Sequence, residues 1–400
     1  MTGREAPADP PPDPAALDAR LRAGREAVAA GDDETAEREY LDVLRRTRGT
    51  SSIIEFGAVA HLTALYMQQS REMEGLRLSR RLIELAKSRG PNQRGWAAQA
   101  MCMAFANIED WPRVARELPG FEAAIRGCKP EQQVEFDRGA FILLGRLALH
   151  RGDLSVAARH AADAIAATDA SPHAWTRLAA HVLSAWVSCR SELFAEGLDL
   201  ARRAHALAPS PVSALESVHV EALCALEVEG KASAAAVVRG AIDDIEARPG
   251  FSPAPAHIAH FGPALAEIAV RCGDEDLARR VCDIAAAGML GRLAEMERQV
   301  PDLPELREAD SDDEAALTAF RARFREGKTA LLARLSELLR PPGGPAFLRT
   351  GDDAVRVCAW CVRSLHDDGT WQPFGHVTHA VVGVRVTHGI CPSCAASHPS

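Results

Sequence analysis

Two Cys-x-x-Cys pairs form the most specific chemical motif in this chain: Cys358-Ala359-Trp360-Cys361 and Cys391-Pro392-Ser393-Cys394. Each such turn aims two thiolates at one point. Two turns together give the tetrahedral four-sulfur set that zinc prefers in closed structural sites. Residues 362–390 separate the pairs, which leaves room for a hairpin and a short helix. Ala354 to Cys358 alternates apolar residues as a strand would, and Val381 to Val386 is a further apolar run. A segment this small has little core of its own, so a bound ion would supply much of its folding free energy. The expectation is one structural Zn2+ on Cys358, Cys361, Cys391 and Cys394. Closed coordination leaves no water to activate. A disulfide pair, a redox-active C-x-x-C and an iron–sulfur site are the alternatives; a thioredoxin-like motif needs a surrounding βαβ fold, which the sequence lacks.

Other groups with ligand or catalytic chemistry read differently. His388 lies three residues before Cys391, but four thiolates already fill a tetrahedron, so it reads as a group packed beside the ligands. His376 and His379 lack the glutamate and the four-residue spacing of a zinc protease helix. His257 and His260 read as surface or packing residues. Gly327-Lys328-Thr329 resembles the end of a phosphate-binding loop, but Ala322 stands where that loop needs a glycine. There is no G-x-S-x-G elbow and no dinucleotide fingerprint, and the chain is read as a non-enzyme. Residues 351–400 hold four acids (Asp352, Asp353, Asp367, Asp368) against three arginines (Arg356, Arg363, Arg385). Phosphate binding needs clustered cations, so this segment argues against nucleic acid as a partner. Trp360 and Trp371 are expected in its small core.

The rest of the chain positions these residues. It is 47% hydrophobic but only 5% aromatic, so alanine and leucine must carry the core, which suits closely packed helices. Net charge is −9, giving no global basic field for nucleic acid or an anionic membrane. Four of the 46 basic residues are lysines (Lys87, Lys129, Lys231, Lys328); that bias fits a GC-rich genome. Six further cysteines (Cys102, Cys128, Cys189, Cys224, Cys272, Cys282) are scattered singly and read as small buried hydrophobes. The polar, proline-rich start carries no signal-peptide pattern, and no apolar run is long enough to span a bilayer. The expected location is cytoplasmic.

A helical unit stands out from Phe141 to Ala164. Phe141, Leu144 and Ala148 lie at i, i+3 and i+7, an apolar stripe. Gly145 permits a close helix approach, and Gly152 can take positive φ and end the helix. Ala157, Ala161 and Ala164 form a small-residue stripe on the helix that returns. Comparable turns fall at Gly31, Gln69, Glu109, Gly152, Glu192, Gly230 and Gly273, spaced by 38, 40, 43, 40, 38 and 43 residues. A period near 40 also overlaps the HEAT range. The Gly/Ala offsets resemble the tetratricopeptide repeat, with Ala148 replacing an aromatic position and the second and third units lacking glycines. That resemblance covers roughly 15–290 and implies an α-α superhelix. Stacked helical pairs bury the face each cannot bury alone and leave an extended concave surface for a protein or peptide partner.

Beyond Gly288 the period fails. The proline- and acid-rich stretch "QVPDLPELREADSDDE" reads as a linker, and Ser311 with Glu314 as a capping box opening a helix over 313–339. Phe320, Phe324, Leu331, Leu335 and Leu338 give that helix one apolar stripe. It is either a cap on the solenoid or a stalk pairing with another copy. "PPGGP", Pro341 to Pro345, begins a hinge. The domain reading is a disordered arm (1–14), a tetratricopeptide-like all-α array (15–300), a linker and capping helix (301–345) and a zinc-ribbon-like α+β module (346–400). C-A-W-C, D-D-G-x-W and H-G-I-C-P-x-C also resemble the cysteine-rich segment attached to some bacterial PAS sensors and response regulators. That resemblance implies a bacterial signalling context. The functional expectation is an interaction scaffold or adaptor; the alternatives are a regulator contacting nucleic acid and an enzyme of unknown type.

Overall fold

The computed structural model describes residues 13–297 apart from 31, 51, 70, 170–173, 209–212 and 248–254. It further describes the helix at 311–338 and residues 355–358, 364–365, 371–372, 386–389 and 392. The expected N-terminal arm, the linker before residue 311 and the hinge at 341–345 lie outside the described residues. Seven antiparallel helical pairs follow one another: α1 Pro14–Ala30 and α2 Asp33–Thr47; α3 Ile53–Gln68 and α4 Glu72–Ala86; α5 Pro91–Asn107 and α6 Trp111–Arg126; α7 Pro130–Arg151 and α8 Leu154–Thr168; α9 Ala174–Arg190 and α10 Phe194–Leu207; α11 Leu215–Val228 and α12 Lys231–Glu246; α13 Pro255–Cys272 and α14 Glu275–Glu297. A further helix among the described residues, α15, runs Ser311–Leu338. This is an all-α, tetratricopeptide-like helical repeat array.

Local chemistry fixes the ends of these helices. Asp32 accepts from the Thr35 amide, Ser52 from Glu55 and Asp110 from Arg113, which satisfies first-turn N–H groups. Pro91 and Pro130 stand at first helical positions, where a missing N–H costs nothing. Within pairs the reversal takes only a few residues, which calls for left-handed backbone. Gly152, Gly230 and Gly273 supply it with φ of 80°, 90° and 80°, and Glu109 and Glu192 adopt it at 57° and 62°. Five of the seven turn residues read from the sequence are therefore the left-handed ones. Gln69 caps α3 instead with φ −80°, and Gly31 is outside the described residues.

Packing follows the small-residue pattern. Ala157, Ala161 and Ala164 are buried, as are Ala278, Cys282 and Ala285. The buried apolar side chains of α7 include Phe136, Ala140, Ile142, Leu143, Leu147 and Ala148, while Phe141 and Leu144 are only partly covered. The helix is sandwiched on two sides, so one i, i+3, i+7 stripe does not describe it. A Cβ on Gly145 would sit 2.5 Å from Leu183 Cδ2, so the glycine admits α9 of the next pair.

Each odd-numbered helix from α1 to α13 also touches the next odd one. Helices that meet their own kind along a curved stack lie on its shorter, inner perimeter. The odd helices thus form the inner wall. Among the described residues, four short strands follow α15: β1 Val355–Cys358, β2 Ser364–Leu365, β3 Trp371–Gln372 and β4 Val386–Gly389, in the order β3-β2-β1-β4. β1 pairs with β2, and β2 with β3, in antiparallel fashion; β1 and β4 are parallel.

Candidate functional site

The inner wall carries a row of aromatic and ionisable side chains. From α9 to α13, the Trp186 and His219 rings meet edge to face at 5.0 Å, His219 lies 6.4 Å from Phe261, and Phe261 meets His260 at 4.5 Å. Arg146 on α7 donates to both carboxylate oxygens of Glu216 on α11, at 3.1 and 3.0 Å. That pair skips a whole repeat, and His260 Nδ1 lies 4.0 Å from Glu109 Oε1 although three whole repeats lie between them. The array therefore curves strongly enough to bring its seventh pair near its third. Burial pushes the His257 imidazole below its ordinary value, so this half-buried ring stays neutral more readily. His257 and His260, expected as surface or packing residues, are both half-buried on α13 of the inner wall.

A second cluster links α15 to α4 and α6. Arg80 donates Nε to Asp313 Oδ2 at 2.7 Å and Nη2 to Oδ1 at 2.9 Å. Arg113 adds Nη1 to Oδ1 at 3.1 Å and Nη2 to the Asp312 carbonyl at 2.7 Å. Arg77 pairs with Glu314. The Asp313 side chain is 2% exposed. Arg80 and Arg113 both lie over the Phe105 ring, at 5.8 and 5.3 Å. Ala316, Leu317 and Phe320 complete the contact by burying themselves among Leu76, Met101, Phe105, Ile108 and Val114. These acids read from sequence as linker and capping box; Glu314 instead points to Arg77, and Asp313 is a docking residue. No local signal distinguishes the two, because the partners lie 200 to 237 residues away. Gly327, Lys328 and Thr329 lie within α15, where backbone N–H groups serve the helix and cannot cradle a phosphate.

Two thiols also meet. Cys224 and Cys189 hydrogen-bond across α9 and α11, which favours the Cys189 thiolate and holds Cys224 protonated. The sequence showed them only as isolated cysteines. Burial raises the Asp283 carboxyl on α14 to about 7.

Of the four predicted metal ligands, Cys358 closes β1, while Cys361, Cys391 and Cys394 lie outside the described residues. The register pairs Cys358 with Gly389, the last residue of β4 and two before Cys391. The strands are parallel, so Cys358 and Gly389 lie at the same end of the sheet. His388 is in β4 opposite Val357. His376 and His379 lie outside the described residues.

No family model matches the chain, and no curated protein matches it. Among solved structures it is similar to a Rap protein complexed with Competence and Sporulation Factor, at 11% identity and TM-score 0.50, covering 81% of this chain and 94% of that one. It is also similar to NprR in complex with its cognate peptide NprX (12% identity, TM-score 0.46, 81% and 91% covered). A tetratricopeptide repeat protein from Parabacteroides merdae ATCC 43184 follows at 10% identity and TM-score 0.42, with 77% and 99% covered. At 11% identity the likeness to the Rap protein is one of fold, a tetratricopeptide-like helical repeat array. No helix among the described residues is long and apolar enough to cross a membrane.

Proposed function

We propose that this chain is an interaction scaffold whose inner wall binds a protein or peptide partner in a bacterial signalling setting. The observation that carries the reading is the row Trp186–His219–Phe261 with the Arg146–Glu216 pair, continuous over four odd helices of a strongly curved array. Aromatic and arginine side chains on a rigid concave wall are what partner anchors fit. The Rap structure complexed with its factor supports the setting by analogy of fold. Screening a random peptide library against the full chain, followed by hydrogen-exchange mapping, tests this. Protection should appear on α9, α11 and α13. Protection confined to the outer, even-numbered helices would overturn it.

The same proposal includes a structural Zn2+ on Cys358, Cys361, Cys391 and Cys394. Its support is the parallel β1–β4 register, which sets Cys358 beside Gly389, two residues before Cys391 in sequence. Zinc would tie the two turns together and supply folding free energy to a small sheet. Elemental analysis after anaerobic, chelator-free purification should find one zinc per chain, lost in Cys391→Ser.

A further inference from the structure

Cys189 lies in the last turn of α9, and Cys224 lies in α11, one helical pair further on. The Cys224 S–H donates to the Cys189 sulfur. The backbone brings the two residues together independently of that bond. A Cβ on Gly197 of α10 would stand 2.9 Å from Cys224 Sγ and 3.3 Å from the Cys189 amide nitrogen. The glycine thus leaves the gap at the α9–α10 crossing that the Cys224 side chain enters. α11 touches both helices of the preceding pair there. Access differs between the two sulfurs: Cys189 is half-buried and Cys224 fully buried.

We propose that Cys189 and Cys224 form a reversible disulfide that staples the fifth helical pair to the sixth, made by a peroxide and opened by a dithiol. The assignment is independent of the scaffold reading, since it involves no partner. Metal binding is the other common use of paired thiols. It needs further ligands, and among the described residues no group of three or more His, Cys, Asp or Glu side chains could hold an ion.

Cys189 is the attacking sulfur. The hydrogen bond from Cys224 favours its thiolate, burial opposes it, Arg190 favours it and Glu227 opposes it, with a net lowering. Arg271 donates to Glu227 at 3.2 Å and offsets part of that opposing charge. The other thiols of the array are held protonated: burial pushes Cys102 and Cys282 up to about 12 and raises Cys128 and Cys272. The Cys189 thiolate attacks one oxygen of hydrogen peroxide. An S–O bond forms, the O–O bond breaks, and the departing hydroxide takes up a proton as water. The Cys224 sulfur then attacks the Cys189 sulfenic acid. The S–S bond forms, the S–O bond breaks, and the hydroxyl leaves as water with the Cys224 proton. Two thiols and one peroxide become one disulfide and two waters, and two electrons pass from sulfur to oxygen. Cys224 is the resolving thiol, already in contact with the sulfur it must reach.

The bond would close the loop 190–223, which contains all of α10. It would also fix α9 against α11 one turn after Trp186, whose ring meets His219 across the same two helices.

The test exposes the reduced full chain to a small excess of hydrogen peroxide, followed by acid quenching, denaturation, alkylation and trypsin. Mass spectrometry should find peptides 178–190 and 204–231 joined through Cys189 and Cys224. Dithiothreitol should separate them, and Cys102, Cys128, Cys272 and Cys282 should be found alkylated. In Cys224→Ser, dimedone should label Cys189 at least about tenfold more than Cys272. In Cys189→Ser, Cys224 should stay unoxidised. The joined form should unfold at a higher temperature than the reduced form, because the closed loop restricts the unfolded chain. If a serine variant fails to fold, the peptide map of the unaltered protein decides alone. Both cysteines alkylated after peroxide, or either joined to a different cysteine or a second chain, would overturn the proposal. So would a Cys189 sulfinic acid beside an alkylated Cys224, since the resolving step would have failed. A joined form that unfolds at a lower temperature would show that the reduced array does not fit the bond, and would overturn it equally.

Discussion

Glu109 and Glu192 hold left-handed backbone at the two turns where the repeat pattern would place glycine. A Cβ in that conformation costs about 1–2 kcal/mol, less in an isolated turn position. Glu192 is exposed, so Glu192→Gly should raise unfolding free energy by about 1 kcal/mol, measured by urea titration. Glu192→Val should lower it. His61 shows a different residue-scale effect. Its ring stacks on Tyr40 at 5.2 Å, and burial, aided by Arg25, lowers its pKa from 6.5 to about 4. The unfolded chain protonates this imidazole first as acid is added. The contribution of His61 is therefore whole above pH 6.5 and is lost as pH falls through about 4. The urea midpoint should drop across that window, and His61→Gln should flatten the drop. A midpoint equally pH-dependent in both proteins would count against the assignment.

At the scale of elements, the pairs were legible because a short reversal needs one left-handed residue, and a buried interface needs small residues every three or four positions. Gly152, Ala157 and Ala161 carry both signals in plain sequence. Two close contacts were not legible. A Cβ on Gly262 would lie 2.7 Å from Ala285 Cβ, and one on Gly288 would lie 2.8 Å from the Ala259 backbone nitrogen. The repeat pattern ends just where Gly288 stands, so nothing in the period marked it. Gly288→Ala gains about 1 kcal/mol of helix propensity. A backbone atom cannot rotate aside, however, and overpacking typically costs about 1–3 kcal/mol. The substitution should lower stability on balance, with the helicity of α1 to α10 unchanged; a more stable protein would refute the tight α13–α14 contact. The metal motif was legible as residue types, and its strand placement was partly so. The alternation over 354–358 predicts a strand ending at Cys358, which is β1. The apolar run over 381–386 meets β4 only at its last residue, Val386, and β4 pairs in parallel with β1. Alternating apolar residues reveal a strand but not its partner's direction.

For the whole molecule, a repeat array is held mainly by contacts between neighbouring pairs, so its curvature is soft unless something crosses the arc. Among the described residues, three kinds of contact cross it: Arg146 to Glu216, His260 near Glu109, and α15 with its Asp313 clamp. The His260–Glu109 approach is solvent-exposed and long, and exposed pairs contribute little. α15 combines a buried carboxylate with apolar burial and touches α13 and α14 as well as α4, so it is the principal brace. Residues with local partners were readable in sequence, whereas this brace joins acids and arginines some 200 positions apart and left no periodic trace. Ejecting α15 by Asp313→Lys/Phe320→Asp should therefore widen the curve while leaving each pair intact. Small-angle scattering should show a larger radius of gyration, far-ultraviolet circular dichroism should lose no more than the signal of one helix, and thermal unfolding should broaden as the arms uncouple. Salt at about 1 M should move the unaltered protein part of the way, because the Debye length falls to about 3 Å and the half-exposed part of the clamp is screened. An unchanged radius of gyration in a folded ejected variant would show that neighbour contacts alone set the curvature.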